Sequence, residues 1–353
     1  MNINNLVRPN ILKLSPYKSA RSEWIGGSAI LLDANENPWG DGLQNRYPDP
    51  YQSTLRKKVA QRNRLIPEQI LFGNGSDELI DLLVRVFCEP KKDQIVICPP
   101  TFGMYGTIAS INDIEVKEVP LKDNYELDVE ILMGTFAKIL FLPNPNSPTG
   151  NIFSVKNLEK IIENFSGIVV LDEAYIDFSN STSWVKKLDK YPNLVILQTF
   201  SKYWALAGYR IGMLFANTGI ISFLSKIKPP YNLNNFSASM ALEVLENEKV
   251  IRKNAKMLIL EREKLKKTLE EFSFVKKIYS SQANFLWGKF ENAWEIYEFL
   301  KRQSIIIRKY TDYPDFLRIS VGLPEENNQL IKVLRKYKSG KKLFLSIAME
   351  PFW

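Results

Sequence analysis

The chain has 353 residues, of which 45% are hydrophobic and 24% are charged, proportions that are ordinary for a soluble globular protein. It contains no histidine, which excludes Ser-His-Asp and Cys-His catalytic sites, imidazole-based zinc sites and every histidine general base. Any proton transfer must therefore rely on lysine, tyrosine or a carboxylate. The net charge of +8 comes from lysines mixed with glutamates along helix-like stretches, which indicates solvated helix surfaces and not a nucleic-acid-binding patch.

The first residues and the cysteines both bear on cellular location. The start, MNINNLVRPN, has no apolar stretch behind a basic one, and no apolar run approaches the ~18 residues of a membrane span. Cys88 and Cys98 lie in apolar surroundings, which is typical of small core residues and not of a disulfide or a metal pair. We therefore expect a reduced, cytoplasmic protein without a metal site, a membrane segment or a nucleic-acid partner.

The first half of the chain alternates helical and strand-like patterns. In SDELIDLLVRVFCEP the apolar residues fall on one face of a helix, with Ser76 as the N-cap and Pro90 closing the segment. Five runs that are nearly continuous in Ile, Val and Leu follow: QIVICPP (94–100), KILFLPNP (138–145), GIVVLDEAY (167–175), NLVILQTFS (193–201) and YRIGMLFA (209–216). Such runs predict buried strands of an α/β fold, with an open, mostly parallel sheet covered by helices on both faces.

The pattern changes in the second half of the chain. It is helical from Ser237 to about Phe272 and then becomes strand-like in FVKKIYS (274–280), NFLWGKF (284–290), SIIIRKY (304–310) and FLRISVG (316–322), with a helical stretch near 292–303. These shorter elements predict a smaller α+β domain. We assign 41–250 to the large domain, and 1–40 together with 251–353 to an N-terminal segment plus the small C-terminal domain.

Two ionisable residues follow buried strands of the predicted sheet. Parallel α/β sheets bind ligands at the carboxyl ends of their strands. Asp172 comes directly after IVVL, and a buried carboxylate requires a positive partner. Lys202 follows LVILQTF, and a desolvated lysine amine becomes nucleophilic because its pKa falls. Pyridoxal phosphate would use both residues, the lysine for a Schiff base and the acid to keep the ring nitrogen protonated.

Further residues match the rest of such a cofactor. Ser76 in GNGSDE, Ser201 and Arg210 are candidate donors to the phosphate. Tyr175 can hydrogen-bond the ring hydroxyl, and Phe102 in PPTFGMY can stack on the ring. Each residue alone has an ordinary structural explanation, such as a helix cap, the core or the surface. Their order along the chain, at the ends of predicted strands, favours a cofactor site.

In these motifs the chain resembles the fold-type I pyridoxal-phosphate-dependent aminotransferases. The resemblance covers nearly the whole chain, through LSPYKSAR, LLDANENPWG, RYPDPY, GNGSDELIDLL, CPPTFGMY, PNPNSPTGN, VVLDEAYIDF, QTFSKYWALAGYRIG, IIIRKY and FLRISVG. Within the family it is similar to the histidinol-phosphate aminotransferases, although amino-acid and phosphothreonine-type enzymes share several motifs. The implied fold is a large, mostly parallel-sheet domain with a smaller α+β domain.

The resemblance also implies a role for each matching residue. Lys202 would form the Schiff base and move the substrate proton, Asp172 would hold the pyridinium proton, and Tyr175 would bind the phenolate oxygen. The implied cofactor-binding set is Gly75, Ser76, Asp77, Phe102, Asn146, Asp172, Tyr175, Ser201, Lys202 and Arg210, with Tyr47 from the neighbouring subunit of a homodimer. The family usually has asparagine directly before Pro-Thr-Gly; this chain has Ser147 there, with Asn146 as the candidate substitute.

The implied reaction is transfer of the amino group of L-histidinol phosphate to 2-oxoglutarate in L-histidine biosynthesis, giving imidazole-acetol phosphate and L-glutamate. The donor carries a phosphate and the acceptor two carboxylates, and guanidinium suits both. The resemblance gives this role to Arg308 and Arg318, with Tyr17 and Asn37; for Arg308 a surface salt bridge is the alternative. Alternative functions are an aromatic-amino-acid aminotransferase, a phosphothreonine decarboxylase of the same fold, or a non-catalytic ligand sensor.

Overall fold

The structure is a computed structural model that describes residues 2–16, 29–41 and 44–347. Of the predicted site residues, Tyr17 lies outside these ranges. The chain divides into two compact units. Unit 1 comprises Met1–Asn146, Phe153–Ile176 and Ser181–Ile251, and unit 2 comprises Ser147–Ile152, Asp177–Asn180 and Arg252–Trp353. Among the described residues, no helix is both long enough and apolar enough to cross a membrane.

Unit 1 is built on a seven-stranded sheet. Its strands are β1 (Ile70–Asn74), β2 (Gln94–Ile97), β3 (Glu115–Glu118), β4 (Ile139–Pro143), β5 (Ile168–Asp172), β6 (Leu194–Thr199) and β7 (Ile211–Ala216), in the spatial order β1-β7-β6-β5-β4-β2-β3. Strand β7 runs antiparallel to both neighbours, and the other six strands share one direction. Strands β4 to β7 are buried along their whole length, as their continuous apolar runs predict. The predicted α/β fold is confirmed.

An α-helix precedes each strand from β1 to β5, whereas β5, β6 and β7 follow one another without an intervening α-helix. In unit 1 they are α1 (Pro9–Lys13), α2 (Ser53–Asn63), α3 (Gly75–Phe87), α4 (Met104–Ile111), α5 (Val129–Gly134), α6 (Val155–Asn164), α7 (Thr218–Ile227) and α8 (Asn235–Glu246). The long helical stretch predicted from Ser237 is two helices, because α8 ends at Glu246 and α9 (Glu248–Glu270) begins after Asn247.

The prediction that Ser76 caps α3 is wrong. The N-cap is Asn74, so that α3 starts directly from the end of β1. The Asn74 side chain makes no capping hydrogen bond, and the backbone N–H of Asn74 donates to Oε2 of Glu78 at 2.5 Å. Gly75 has φ +78°, in the left-handed region that favours glycine, and its N–H donates to the carbonyl of Arg210 at 2.9 Å.

The described part of the N-terminal segment packs into unit 1. Ile3, Val7 and Ile11, four residues apart, are buried in the apolar cluster that contains α3. The backbone N–H of Arg8 donates to the carbonyl of Val86 at 3.0 Å. The predicted division grouped 1–40 with the small domain. The structure differs for the described segment because its apolar side chains cover the core of unit 1.

Unit 2 contains a four-stranded antiparallel sheet in the order β10-β11-β9-β8. Its strands are β8 (Val275–Ile278), β9 (Phe285–Phe290), β10 (Arg308–Lys309) and β11 (Phe316–Ser320), and its further helices are α10 (Ala293–Arg302) and α11 (Pro324–Ile347). Apolar side chains from the strands and helices form one core, with Leu286, Ile296, Leu317 and Val333 among its buried members. The predicted strands and the predicted helix near 292–303 are present, although β10 covers only the end of SIIIRKY.

Candidate active site

A buried carboxylate lies at the centre of the unit 1 sheet. Asp172 is the last residue of β5, the middle strand of the seven, and is 5% exposed. Its Oδ2 accepts a hydrogen bond from the hydroxyl of Tyr105 at 2.7 Å, and its Oδ1 accepts the N–H of Ala174 at 3.1 Å. Burial raises the pKa of Asp172, which these two hydrogen bonds oppose. A desolvated carboxylate of this kind is stabilised by a cation placed beside it.

Tyr105 is a site residue to which the sequence motifs assigned no role. It is fully buried on α4, its ring is stacked on Phe141 of β4 at 4.7 Å, and Phe102 packs edge-on against it at 5.4 Å. Burial and then the charge of Asp172 raise the pKa of Tyr105, so its hydroxyl keeps its proton and donates. A signal was available in CPPTFGMY, since the hydroxyl of a tyrosine in an apolar helix needs a buried acceptor.

The lysine lies at the same edge of the sheet as the carboxylate. Strands β5 and β6 are adjacent and parallel, so the loops after them carry Tyr175 and Lys202 to the edge where Asp172 ends its strand. The Lys202 side chain is exposed, and its Nζ lies 5.8 Å from the centre of the half-buried Tyr175 ring. The positive charge of Lys202 lowers the pKa of Asp172, in opposition to the larger effect of burial. The structure therefore brings the three predicted catalytic residues together.

The N-terminus of helix α3 adjoins this edge. Gly75, Ser76 and Asp77 form the first turn of α3, where backbone N–H groups lack partners within the helix. The Arg210 Nη2 atom lies 3.3 Å from Asp77 Oδ2. Arg210 has φ 53°, a left-handed conformation in which its carbonyl accepts the N–H of Gly75.

Two glycines allow the Arg210 side chain and strand β7 to lie close to the backbone at the start of α3. A Cβ atom on Gly75 would lie 2.5 Å from Nη2 of Arg210. A Cβ atom on Gly212 of β7 would lie 2.5 Å from both the carbonyl oxygen of Gly75 and the nitrogen of Ser76. Ser201, the predicted second hydroxyl donor, lies after β6, where its N–H donates to Oγ1 of Thr199 at 3.0 Å.

These features fit pyridoxal phosphate. The buried carboxylate with its raised pKa suits a protonated pyridine nitrogen, and the amine of Lys202 suits an aldehyde. The first turn of α3, with Ser76 and Arg210, provides the donors that a phosphate needs. Phe102 is half-buried beside Tyr105, in a position suited to an aromatic partner.

The asparagine of the PNPNSPTG loop has a contact that the sequence did not predict. Asn146 is fully buried, and its Nδ2 donates to the carbonyl of Pro100 at 3.0 Å. Pro100 is two residues before Phe102, so this hydrogen bond fixes the segment that presents the aromatic ring. The predicted contact of Asn146 with the ring hydroxyl of a cofactor stays a prediction.

Tyr47 and Asn37 lie together along one cavity of unit 1. Both line a cavity of about 490 Å³ whose described lining includes neither Lys202 nor Asp172. The half-exposed ring of Tyr47 is stacked on Tyr231, with the ring centres 4.5 Å apart. The Oδ1 atom of Asn37 accepts the N–H of Trp39 at 3.0 Å. The two residues therefore share one cavity, and their predicted roles at the cofactor and the substrate stay predictions.

The two predicted arginines form a pair in unit 2. Arg308 on β10 and Arg318 on β11 lie directly opposite each other in the antiparallel register. The Nη1 atom of Arg318 donates to Oγ of Ser147 at 2.9 Å, and its Nε is buried without a hydrogen-bond partner among the described residues. Burial raises the pKa of Tyr310, which the charges of both arginines oppose. Like charges in this arrangement repel, so a bound anion would stabilise the pair.

Comparisons with known proteins point to one family. A family model described as aminotransferase class I and II matches residues 40–334. Two relatives named histidinol-phosphate aminotransferase, from Flavobacterium psychrophilum and Christiangramia forsetii, are 47% and 45% identical to this chain. The alignments cover 95% and 96% of this chain and 98% and 99% of those relatives.

Solved structures share the fold at lower identity. The histidinol-phosphate aminotransferase of Clostridium acetobutylicum has a TM-score of 0.78 and 24% identity, over 85% of this chain and 92% of that one. The enzyme of the same name from Sinorhizobium meliloti, in complex with pyridoxal-5'-phosphate, has a TM-score of 0.76 and 22% identity, over 83% of each chain. These likenesses concern the fold alone, and they confirm the predicted architecture.

Proposed function

This chain belongs to the family of class I and II aminotransferases, and from that premise we propose that it transfers the amino group of L-histidinol phosphate to 2-oxoglutarate. The substrate assignment is carried by the full-length similarity to relatives with that name, at 42–47% identity. The chain has the fold-type I architecture and uses pyridoxal phosphate. The reaction is a step of L-histidine biosynthesis.

Pyridoxal phosphate, when bound, supplies an aldehyde that captures amines and a ring that accepts electrons from the breaking bond. The amine of Lys202 would then take the proton from the substrate's α-carbon and return it to the carbon of the cofactor's aldehyde group, acting as base and acid in turn. Asp172 holds a proton on the ring nitrogen, because its buried carboxylate is stabilised by an adjacent cation. Tyr105 and the N–H of Ala174 orient that carboxylate.

The phosphate is held where backbone and side-chain donors converge. Ser76 and the first turn of α3 offer N–H groups, and Ser201 offers a hydroxyl. Arg210 adds charge, and its contact with Asp77 at 3.3 Å fixes the direction of the guanidinium group.

Arg308 and Arg318 bind the anionic groups of both substrates in turn. Their cross-strand pair presents two guanidinium groups, which suit a phosphate monoester and a carboxylate equally. Asn37 and Tyr17 complete the proposed substrate set. The protein works as a homodimer in the cytoplasm, with Tyr47 of each subunit serving the phosphate of the partner. The half-exposed ring of Tyr47 supports that arrangement, because it is accessible to a second subunit.

A single half-reaction tests the proposal. The protein is reconstituted with pyridoxal phosphate, mixed separately with L-histidinol phosphate, L-phenylalanine and O-phosphothreonine, and followed by the absorbance of the cofactor. We expect fast conversion of the cofactor by L-histidinol phosphate. Faster conversion by L-phenylalanine would move the enzyme to the aromatic branch. Release of CO₂ from O-phosphothreonine would identify a decarboxylase, and a protein without cofactor absorbance would contradict the whole proposal.

A further inference from the structure

The loop after α7 contains a buried lysine that has no part in the mechanism above. Lys228 is 8% exposed, and its Nζ donates to three acceptors: the carbonyl of Pro50 at 3.2 Å, the carbonyl of Pro229 at 2.9 Å and Oδ1 of Asn232 at 2.9 Å. These contacts use all three donors of an ammonium group. The protonated form of Lys228 is therefore the one that fits its surroundings.

The contact with Lys228 fits only one orientation of the Asn232 amide. An ammonium group only donates, so the atom of Asn232 that faces it must be the oxygen. The amide nitrogen then points the other way and donates to the carbonyl of Phe72 at 3.1 Å and to Oε2 of Glu78 at 2.7 Å. The contacts on both sides of the amide therefore require the same orientation, and loss of Lys228 would remove the hydrogen bond that anchors its oxygen.

Glu78 carries the connection to the phosphate-binding turn. The same Oε2 atom accepts the N–H of Asn74 at 2.5 Å, and Asn74 directly precedes Gly75 and Ser76. A continuous set of hydrogen bonds thus leads from Lys228 through Asn232 and Glu78 to the start of α3. It fixes the backbone that offers its N–H groups to the phosphate.

The charges of this region explain why such a connection is needed. Asp77 and Glu78 place two carboxylates in the first turn of α3, where a phosphate dianion is to bind. Arg210 pairs with Asp77, and the Glu78 carboxylate is held by Asn232 and Asn74. Charge–charge interactions are largest at short range, so a freely moving Glu78 would repel the phosphate.

We propose that Lys228 is a positioning residue for cofactor phosphate: through Asn232 it holds Glu78 on the N-cap of α3 and keeps the phosphate-binding turn in place. This inference rests on the proposed use of pyridoxal phosphate. It assigns to Lys228 an effect on the phosphate alone and none on the pyridine ring.

The test compares two cofactors that differ only in the phosphate. Dissociation constants of pyridoxal phosphate and pyridoxal are measured by absorbance for wild type and Lys228→Met. We expect Lys228→Met to bind pyridoxal phosphate about tenfold more weakly, since a hydrogen-bond network to a charged group is loosened, and to bind pyridoxal as wild type does. Lys226→Met is the matched control, because Lys226 lies two residues away and its Nζ donates to the carbonyls of Ile11 and Leu12. Equal loss for both cofactors, or no loss, would overturn the inference.

A second variant covers the case in which Lys228→Met does not fold. Asn232→Asp keeps an acceptor for Lys228 but removes the donor to Glu78, so we expect the same selective loss of pyridoxal phosphate affinity. An unchanged ratio of the two affinities would contradict the positioning role. A wild-type protein that binds neither cofactor would instead count against the proposed function.

The pH profile gives an independent readout. Burial lowers the pKa of Lys228 to about 8, while the charges of Glu78 and Asp49 raise it and that of Arg56 lowers it. The phosphate itself is already a dianion in this range, since its second pKa is about 6. The preference of wild type for pyridoxal phosphate over pyridoxal should therefore fall as pH rises through about 8. In Lys228→Met the preference should stay constant there, and parallel profiles would refute the proposal.

Discussion

The buried carboxylate of Asp172 lowers the free energy of unfolding of the protein as long as no cation is bound beside it. Its pKa is raised chiefly by burial, so the folded, cofactor-free protein binds the proton of Asp172 more tightly than the unfolded chain does. The free energy of unfolding therefore falls as pH rises from the ordinary pKa of 3.8 through the raised one. Above that range, the ionised carboxylate lowers the stability of the cofactor-free protein until a pyridinium ring is bound.

The variant Asp172→Asn tests whether the ionised carboxylate lowers stability while it supports activity. Asparagine resembles the protonated acid, so the cofactor-free variant should melt at a higher temperature than wild type at pH 7. This difference should shrink toward acid pH, where Asp172 is protonated in both states. Transaminase activity should fall by about two to three orders of magnitude, because the electrostatic support of the ring is lost. A lower melting temperature at pH 7 would show that burial does not destabilise the charge.

Tyr105→Phe should act on stability in the opposite direction. It removes the hydroxyl donor at 2.7 Å and leaves Asp172 with the N–H of Ala174, so the pKa of Asp172 should rise further. A hydrogen bond to a buried charge contributes about 2 kcal/mol, which urea unfolding of the cofactor-free protein can measure. Tyr191→Phe is the control, since its hydroxyl lies 3.3 Å from the half-exposed Glu163 carboxylate and should contribute less. Equal losses in the two variants would contradict the argument.

Among single residues, the sequence predicts a candidate site residue most clearly where a polar residue follows an apolar run. Asp172 and Lys202 stand out because each follows an apolar run. Tyr105 does not stand out, because its acceptor lies 67 residues away and its own neighbours are apolar. The N-cap prediction for Ser76 failed because the helix begins at Gly75, directly after β1, so that Ser76 already lies in its first turn.

At the scale of elements, Gly212 of β7 lies against Gly75 and Ser76, the proposed phosphate-binding turn, with no room for a side chain. It pairs antiparallel with β1, with Gly212 opposite Gly73. Gly212→Ala would place a Cβ atom 2.5 Å from the Ser76 nitrogen, so the start of α3 must move. We expect the affinity for pyridoxal phosphate to fall about tenfold, in line with the usual cost of overpacking. Gly208→Ala is the control, since its Cβ would have no neighbour within 4 Å. Similar affinities in both variants would contradict this reading of β7.

The regular elements were predictable to different degrees. Central strands β4 to β7 followed from apolar runs, because both faces of each are covered. The run SIIIRKY was a poorer guide, since Ile305 and Ile307 pack on the unit 2 core without joining its sheet. The break at Asn247 had no proline or glycine to mark it; its side-chain amide donates to the carbonyl of Glu243 at 3.1 Å, at the end of α8.

At the scale of the whole molecule, the thiols can report on unfolding. Cys88 and Cys98 are free and buried, and burial raises the pKa of each to about 12. We expect neither to react with a disulfide reagent at pH 8 in the folded protein, and both to react in concentrated guanidinium chloride. Rapid labelling of either thiol under native conditions would mean that its surroundings open without global unfolding.

The proposed homodimer can be tested by combining subunits that carry different defects. If Tyr47 serves the partner's phosphate, Tyr47→Ala and Lys202→Ala damage the same site from different subunits. A mixed dimer of the two variants then has one site with both defects and one with neither. Each variant alone should have little activity, whereas subunits mixed by mild denaturation and refolding should recover about a quarter of wild-type activity, since half of the dimers are mixed. Refolding each variant separately gives the baseline. A mixture no more active than the average of the two variants would show that Tyr47 and Lys202 of one chain contribute to the same active site.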